Sequence, residues 1–589
     1  MKPSHEDTGG DRFTAEWVRS IWQLTRGYWV SKEKTGAWLL TIVIVMLNLG
    51  TVALQVVLNR WNATFYNALQ NYDAAGFAAA IWQFCLLAGI FLVVAGAMIY
   101  LQMLLKIRWR RWMTAQYVDR WLQNRTYYRL SLFGEHSDNP DQRISEDINI
   151  FIDRSLDLAL GLLVAVTTLV SFLYILWQLS GQLTLPVAGV PVVIPGYMVW
   201  MAILYSGAGT WLTTVIGRPL IRIEFLQQRY EADFRFSLMR LRENAESIAF
   251  YNGEADEQRH FMARFRRIVG NYHQMMRYDM LLEFFRAGYN ISASVFAIIV
   301  AAPRFFARQI QIGELMQVAN AYGQVHGSLS FIINSFTVIA EWRAVAFRLS
   351  DFIATMDAVD SRVAAVSRLS ITPGDGASLR LSDIRVQLPD ERILLEALDV
   401  DLEAGDALLI TGPSGVGKST LLRTLAGLWP FSAGRIIGPR HEDTMFVPQK
   451  PYMPMLPLRD VLCYPDKADA AIADSALTEV LAACRLGHLS GRLDEVCDWG
   501  RVLSGGEQQR VAFARVLIQK PRWLFLDEAT ASLDPETEAV LLSLLSDRLP
   551  ETTIISVGHR AALIRYHRRH LRLEGPGAWR LEPLAELGS

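Results

Sequence analysis

Gly412-Pro413-Ser414-Gly415-Val416-Gly417-Lys418-Ser419 follows, after Thr411, on the apolar run Ala407-Leu408-Leu409-Ile410. A short apolar run ending in glycine reads as a buried strand, and G-x-x-x-x-G-K-[ST] behind a strand reads as a phosphate loop opening a helix. Glycines let successive backbone N–H groups turn toward phosphate oxygens. Lys418 brings positive charge to the terminal phosphates, and Ser419 offers a hydroxyl to Mg2+ at a helix N-terminus. Gly412 through Ser419, with Thr420 behind them, are the expected nucleotide contacts. Alone, the motif implies nucleotide binding and nothing narrower.

Downstream stands Leu503-Ser504-Gly505-Gly506-Glu507-Gln508-Gln509-Arg510, and then a second apolar run, Trp523-Leu524-Phe525-Leu526, that ends in Asp527-Glu528. Asp527 is placed to hold Mg2+, as the acidic residue after the second strand does in phosphate-loop enzymes. Glu528, one residue on, is free to orient or deprotonate the attacking water. A third run closes in Ser556-Val557-Gly558-His559, putting an imidazole within reach of the terminal phosphate, and Gln449 in Phe446-Val447-Pro448-Gln449 offers a neutral oxygen ligand. The expected catalytic set is Glu528, His559 and Gln449, and the expected metal set is Ser419, Gln449 and Asp527.

In this order the pieces resemble an ABC-type ATPase domain from about Leu379 to the C-terminus, with Leu503 to Arg510 as its signature sequence and Ala531-Ser532-Leu533-Asp534 as its D-loop. The resemblance implies ATP and Mg2+ as cofactors, and adds Ser504, Gly505, Gly506, Glu507 and Asp534 to the nucleotide contacts. One departure stands out. Many members stack an aromatic residue on adenine, and Leu388 occupies the corresponding place, so the base contact stays unassigned.

The front half is of another kind. The chain has 589 residues, 51% hydrophobic and 11% aromatic, with 17 Trp, and a mean hydropathy of +0.18; that is too apolar for an ordinary soluble protein of this length. A formal net charge of −1 leaves no overall basic surface, so nucleic acid is not an expected partner. The four cysteines lack disulfide-framework or zinc spacing; Cys463, Cys484 and Cys497 read as reduced cytosolic thiols and Cys85 as a buried membrane thiol.

Apolar runs long enough to cross a bilayer, for which a helix needs roughly 20 residues, lie at Ala37–Val57, Phe77–Leu101, Leu158–Gln178, Val192–Val215, Tyr289–Phe306 and Leu315–Ala340. Basic residues flank alternate edges: Lys32 and Lys34, then Lys106 to Arg111, then Arg218 and Arg222. These edges read as cytoplasmic, which places both chain ends and the ATPase half in the cytosol. Arg304 and Arg308, beside an expected external turn, run against the rule. The expected division is an amphipathic N-terminal segment at 1–35, a transmembrane domain at 36–350 with two long cytosolic extensions, a linker at 351–378 and an ATP-binding domain at 379–589. The fold class expected is thus an α-helical membrane domain of about six spans, ABC exporter-like, followed by an α/β P-loop ATPase domain.

Three stretches carry a narrower resemblance: Trp61 to Gln70 (WNATFYNALQ), Asn139 to Asp147 (NPDQRISED) and Arg242 to Tyr251 (RENAESIAFY). They resemble the membrane domain of the SbmA/BacA-like family in its fused permease–ATPase, YddA-like branch, with peroxisomal fatty-acyl half-transporters as more distant relatives. This implies a bacterial inner-membrane transporter for bulky hydrophilic cargo such as cobalamin, bleomycin or antimicrobial peptides. A chain with one phosphate loop and one signature sequence needs a second copy to close each nucleotide, so a homodimer is expected. Competing readings are a membrane-anchored regulatory ATPase that gates a pore or partner, and a lipid or fatty-acyl transporter. The spans weigh strongly against a soluble DNA-repair-type ATPase, the third competing reading.

Overall fold

The computed structural model describes residues 15–133, 139–187, 190–374, 376–465, 472–559, 561–575 and 577–584. The chain forms two compact units, Met1–Leu130 with Glu135–Met356, and Asp357–Ser589 with Ser131–Gly134.

The first unit is helical: α1 (Ala15–Val30), α2 (Lys34–Gln70), α3 (Ala74–Leu122), α4 (Thr126–Leu132), α5 (Ile148–Ser180), α6 (Tyr197–Glu243), α7 (Ala245–Tyr251), α8 (Glu254–Phe306), α9 (Ile312–Leu329) and α10 (Phe336–Val366). Among the described residues, five helices are long and apolar enough to cross a membrane, those built around α2, α3, α5, α6 and α8. They outrun the bilayer. α3 has 49 residues, about 74 Å at the α-helical rise against a hydrocarbon core of about 30 Å, so its polar end continues beyond the lipid. Asp73 caps α3 by accepting from the amides of Ala75 and Gly76 at 3.1 and 3.0 Å, which satisfies two of the donors that a helix start leaves orphaned. Trp82, Leu86, Leu92 and Val93 stand exposed on α3, a costly surface in water and an ordinary one against lipid. Cys85, expected to be buried, is on that exposed surface as well.

Two expected spans are corrected. The fourth starts at Tyr197 rather than Val192, because Gln182–Val187 (β1) and Val190–Pro195 (β2) form an antiparallel hairpin. Pro186, Pro191 and Pro195 amid β-branched residues favour extended backbone, which an apolar count alone reads as helix. The sixth is broken. α9 ends at Leu329, a one-turn helix spans Phe331–Asn334, and α10 begins at Phe336. This segment is not one of the five apolar helices, since Gln317, Asn320, Gln324, His326 and Ser328 dilute it. Val318, Ala321, Tyr322 and Val325 nevertheless bury it against Phe172, Leu176, Tyr197 and Ala297, so packing, not hydropathy, holds it in the bundle. Arg304, the exception to the charge rule, donates to the carbonyl of Leu179 at the C-terminal end of α5, where a cation meets the negative end of the helix dipole. The side chains of α1 described as buried are Leu24 and Tyr28, with Tyr28 stacked 6.0 Å from Trp109. In the amphipathic N-terminal segment, Phe13, Trp17, Ile21, Leu24 and Tyr28 recur at helical spacing in the sequence, and of these Phe13 lies outside the described residues.

The second unit is α/β. Within the stretch expected as a linker, α10 runs to Val366 and β3 (Arg368–Pro373) pairs with β7 (Ser432–Gly438). With β4 (Ser378–Gln387) and β5 (Ile393–Glu403) they make a sheet in the order β3-β7-β4-β5. A six-stranded sheet has the order β12-β11-β6-β10-β9-β8, from β6 (Ala407–Thr411), β8 (Thr444–Val447), β9 (Trp523–Asp527), β10 (Thr553–Val557), β11 (Arg569–Gly575) and β12 (Ala578–Pro583). β6, β10, β9 and β8 run parallel. Their cores are continuous apolar runs, as a strand covered on both faces requires. The helices of this unit are α11 (Lys418–Leu425), α12 (Leu458–Cys463), α13 (Asp474–Ala483), α14 (Gly505–Gln519) and α15 (Pro535–Arg548), besides shorter turns. Trp499, Val511, Phe513, Leu524 and Leu541 belong to one buried cluster, and Leu395, Leu408, Trp523 and Leu571 to another.

Candidate nucleotide-hydrolysis site

Four parallel strands end side by side, and each delivers one part of the site. β6 leads into Gly412 and α11, β9 ends at Asp527 before Glu528, β10 leads to His559, and β8 leads to Gln449. The crevice beyond the carboxyl ends of such strands is where open α/β sheets bind ligands.

The loop geometry requires its glycines. Gly412 has φ +149° and a Cβ there would sit 2.4 Å from the carbonyl oxygen of Leu573, while Gly417 has φ +110° with Leu394 Cβ 3.2 Å away. Lys418 is 6% exposed, and its Nζ donates to the carbonyls of Gly412 and Pro413 at 2.9 and 3.0 Å, which folds the loop around its own ammonium. Burial lowers the Lys418 pKa, with the carboxylates of Glu528 and Asp527 working the other way. Ser419 Oγ donates to Asp527 Oδ1 at 2.8 Å, so the hydroxyl and carboxylate sit together as oxygen donors of the kind a hard divalent cation takes. Burial raises the Asp527 pKa, the nearby Glu528 carboxylate adds to it, and the Ser419 hydrogen bond with Arg423 and Lys418 opposes it.

Glu528 has φ +48°, uncommon for a residue with a side chain, and its N–H donates to Val557 O at 3.0 Å. Gln449 Nε2 donates to Glu528 Oε2 at 3.0 Å, and His559 Nε2 lies 3.8 Å from Glu528 Oε1. The three expected catalytic residues are therefore together, beside Asp527.

The signature residues form a second group. Ser504 caps α14 in a reciprocal box with Glu507: the Ser504 N–H donates to Glu507 Oε2 at 2.9 Å and Ser504 Oγ accepts from the Glu507 N–H at 3.3 Å. The backbone bond from Ser504 holds the Glu507 carboxyl below its usual range. Gly505 and Gly506 then open the 15-residue α14, whose N-terminus carries positive dipole. Asp534 caps α15 by accepting from the Thr537 N–H at 2.8 Å. Gln509 links the groups: 2% exposed, it donates to Gln449 O at 3.2 Å and accepts from the Ser532 N–H at 2.9 Å. Sequence reasoning quoted Gln509 inside the signature but gave it no task; a buried amide between two loops is visible only in three dimensions. Leu388 packs on the core of the second unit.

Comparison with known proteins agrees with both units. The model for ABC transporter transmembrane region 2 matches residues 24–306, and that for ABC transporter matches residues 395–531. An uncharacterized ABC transporter ATP-binding protein of Haemophilus influenzae is 36% identical over 97% of this chain and 94% of its own length. The inner membrane ABC transporter ATP-binding protein YddA of Escherichia coli is 34% identical over 95% of each chain, and the chloroplastic ABC transporter D family member 2 of Arabidopsis thaliana is 31% identical over 94% of this chain and 86% of its own. Among solved structures, a bacterial Atm1-family ABC exporter with ATP bound superposes with a TM-score of 0.67 over 92% of this chain and 93% of its own, at 20% identity, a likeness of fold. The chain belongs to the ABC transporters in which a multi-pass membrane domain and an ATP-binding domain are fused, and it couples ATP hydrolysis to transport.

Proposed function

We propose that this ABC transporter works as a homodimeric half-transporter in a bacterial inner membrane, with the ATP-binding domain and both termini in the cytosol, and that it moves bulky hydrophilic cargo of the cobalamin, bleomycin or peptide kind. The observation that carries the catalytic part is the junction of Glu528 with Gln449 and His559 next to the Ser419–Asp527 pair. Lys418 and the loop amides bind the terminal phosphates, Glu528 takes a proton from the attacking water, and His559 and Gln449 hold that carboxylate in place. Ser419 and Asp527, with Gln449, would hold Mg2+; when bound, the ion neutralises charge developing on the phosphoryl oxygens. Ser504, Gly505, Gly506 and Glu507 face the nucleotide of a second copy, which closes the site, and Asp534 orders the segment beside it. We take 1–35, 36–350, 351–378 and 379–589 as the functional division.

Fatty-acyl cargo is the second reading, favoured by the likeness to D-family relatives. Purified protein in vesicles of defined orientation separates the possibilities. ATP-dependent movement of a cargo, abolished in Glu528→Gln, supports transport; ATP turnover with no flux of cobalamin, bleomycin, peptide or palmitoyl-coenzyme A would favour a regulatory ATPase instead.

A further inference from the structure

Beyond β10 the chain presents His559 and then turns back into β11, and a second histidine sits at the end of that turn. His567 is 6% exposed and lies eight residues past His559. It has no place in the proton transfer at Glu528. Both of its ring nitrogens are engaged: Nδ1 lies 2.7 Å from the carbonyl oxygen of Leu563, and Nε2 lies 2.8 Å from the hydroxyl of Ser556. A carbonyl oxygen only accepts, so Nδ1 carries the proton, and the neutral ring then accepts at Nε2 from the Ser556 hydroxyl. Burial lowers the His567 pKa, with the Leu563 hydrogen bond working the other way. The ring is therefore neutral at pH 7, the state that both contacts need.

The two contacts bracket His559. Ser556 stands three residues before it, in β10 between Leu409 of β6 and Leu526 of β9. Leu563 stands four residues after it, in the 3-10 turn Ala561–Tyr566, and is buried with Leu409 and Leu542. The Leu563 side chain also closes on the backbone just ahead of His559: a Cβ on Gly558 would sit 2.2 Å from Leu563 Cδ1. One imidazole thus fastens the strand that delivers His559 to the turn that follows it. His559 needs such fastening. Its own side chain is half exposed and its Nε2 is 3.8 Å from Glu528 Oε1, too long for a hydrogen bond, so its ring is placed by its backbone. A displacement of about 1 Å at a catalytic group can cost about 10²-fold in rate.

We infer that His567 is a positioning residue for ATP hydrolysis, holding Ser556 and Leu563 together so that His559 stays within reach of Glu528. The inference rests on the reading of His559 as part of the hydrolytic group and deepens it. A histidine that only stabilised the fold would lower turnover whether or not the His559 imidazole were present. A positioning residue acts through that imidazole and has no effect without it.

The test is single-turnover hydrolysis of Mg2+-ATP by the full chain in lipid nanodiscs, which reads slow variants, with steady-state kcat and KM alongside. His567→Leu removes both hydrogen bonds and should lower kcat about tenfold while KM stays within about twofold, because the phosphate loop keeps its own contacts. His567→Asn, whose amide can still donate to the Leu563 carbonyl, should recover part of that loss. Ser556→Ala removes one hydroxyl, should lower kcat in the same sense, and keeps the test open if His567→Leu fails to fold. In a His559→Ala chain these substitutions should cause no further loss. Full turnover in each variant that folds, a change in KM alone, or the same proportional loss with and without His559 would overturn the inference. Undiminished turnover in His559→Ala by itself would remove the hydrolytic role of His559, and the inference with it. Reduced turnover in His559→Ala, lowered again by His567→Leu or Ser556→Ala, would leave that role standing and remove only the inference.

Discussion

Asp527 and Glu528 are neighbours in sequence with different surroundings. Glu528, held at φ +48°, is engaged by Gln449 and His559, whereas Asp527 takes the Ser419 hydroxyl. Glu528→Gln keeps shape and loses basicity, so ATP binding should persist while turnover falls about 10²-fold or more; near-normal hydrolysis would pass the role to His559. Asp527 has a raised pKa through burial. The folded chain then holds that proton more tightly than the unfolded chain. Its contribution to stability is present below the unfolded pKa and is lost as pH rises through the raised folded value. At pH 7 the ionised carboxylate is a standing cost that a bound cation relieves. Asp527→Asn should therefore leave the ligand-free Tm unchanged or higher at pH 7, and should remove the further rise that Mg2+ adds to ATP; a retained Mg2+-dependent rise in a thermal melt would place the metal elsewhere.

Elements of the first unit are tied by a contact that no pattern announces. Asp147, 1% exposed, accepts from Arg348 of α10 at 2.6 and 2.9 Å and from Arg143 at 2.6 Å. A carboxylate shared by two guanidiniums is worth little against an apolar replacement but much against its own removal. Asp147→Ala should destabilise the chain by about 3 kcal/mol, the low end of the range for breaking a buried pair because Arg348 keeps partial access to water; this is readable as a lower denaturation midpoint in detergent. An unchanged midpoint would mean that these ion pairs contribute nothing net to the fold. α7 presents Phe250 and Tyr251 at 77% and 85% exposure, and the sequence pattern RENAESIAFY that identified it says nothing of what covers them.

At the scale of the whole molecule, the single phosphate loop and single signature per chain are the ground for the proposed sharing of sites between two copies. In a heterodimer of Lys418→Ala and Ser504→Arg chains, both defects fall in one composite site and the other stays intact. ATPase activity above that of either variant alone is the expected result. Disulfide trapping of Ser504→Cys against Gly415→Cys of the partner should succeed with nucleotide bound; trapping that never occurs would count against the shared site even if the mixture showed no recovery.

The nucleotide site was legible because its chemistry needs particular residue types at strand ends. Gly412, Lys418, Asp527 and His559 each follow an apolar run, and local order along the chain already implies the parallel strands that gather them. Five spans among the described residues were legible as apolar stretches, the fourth with its start misplaced, since lipid imposes a length and a composition. Sequence alone thus determined the two-part architecture and the gathering of the candidate catalytic residues at neighbouring strand ends. Tertiary structure decided the rest: the hairpin at 182–195, the break at 330–335, the Gln509 bridge and the Asp147 knot. Apart from the hairpin, whose prolines are a local signal that an apolar count passes over, these depend on which distant groups meet; burial and hydrogen-bond pairing between such groups are set by the packed fold and leave no local period to read.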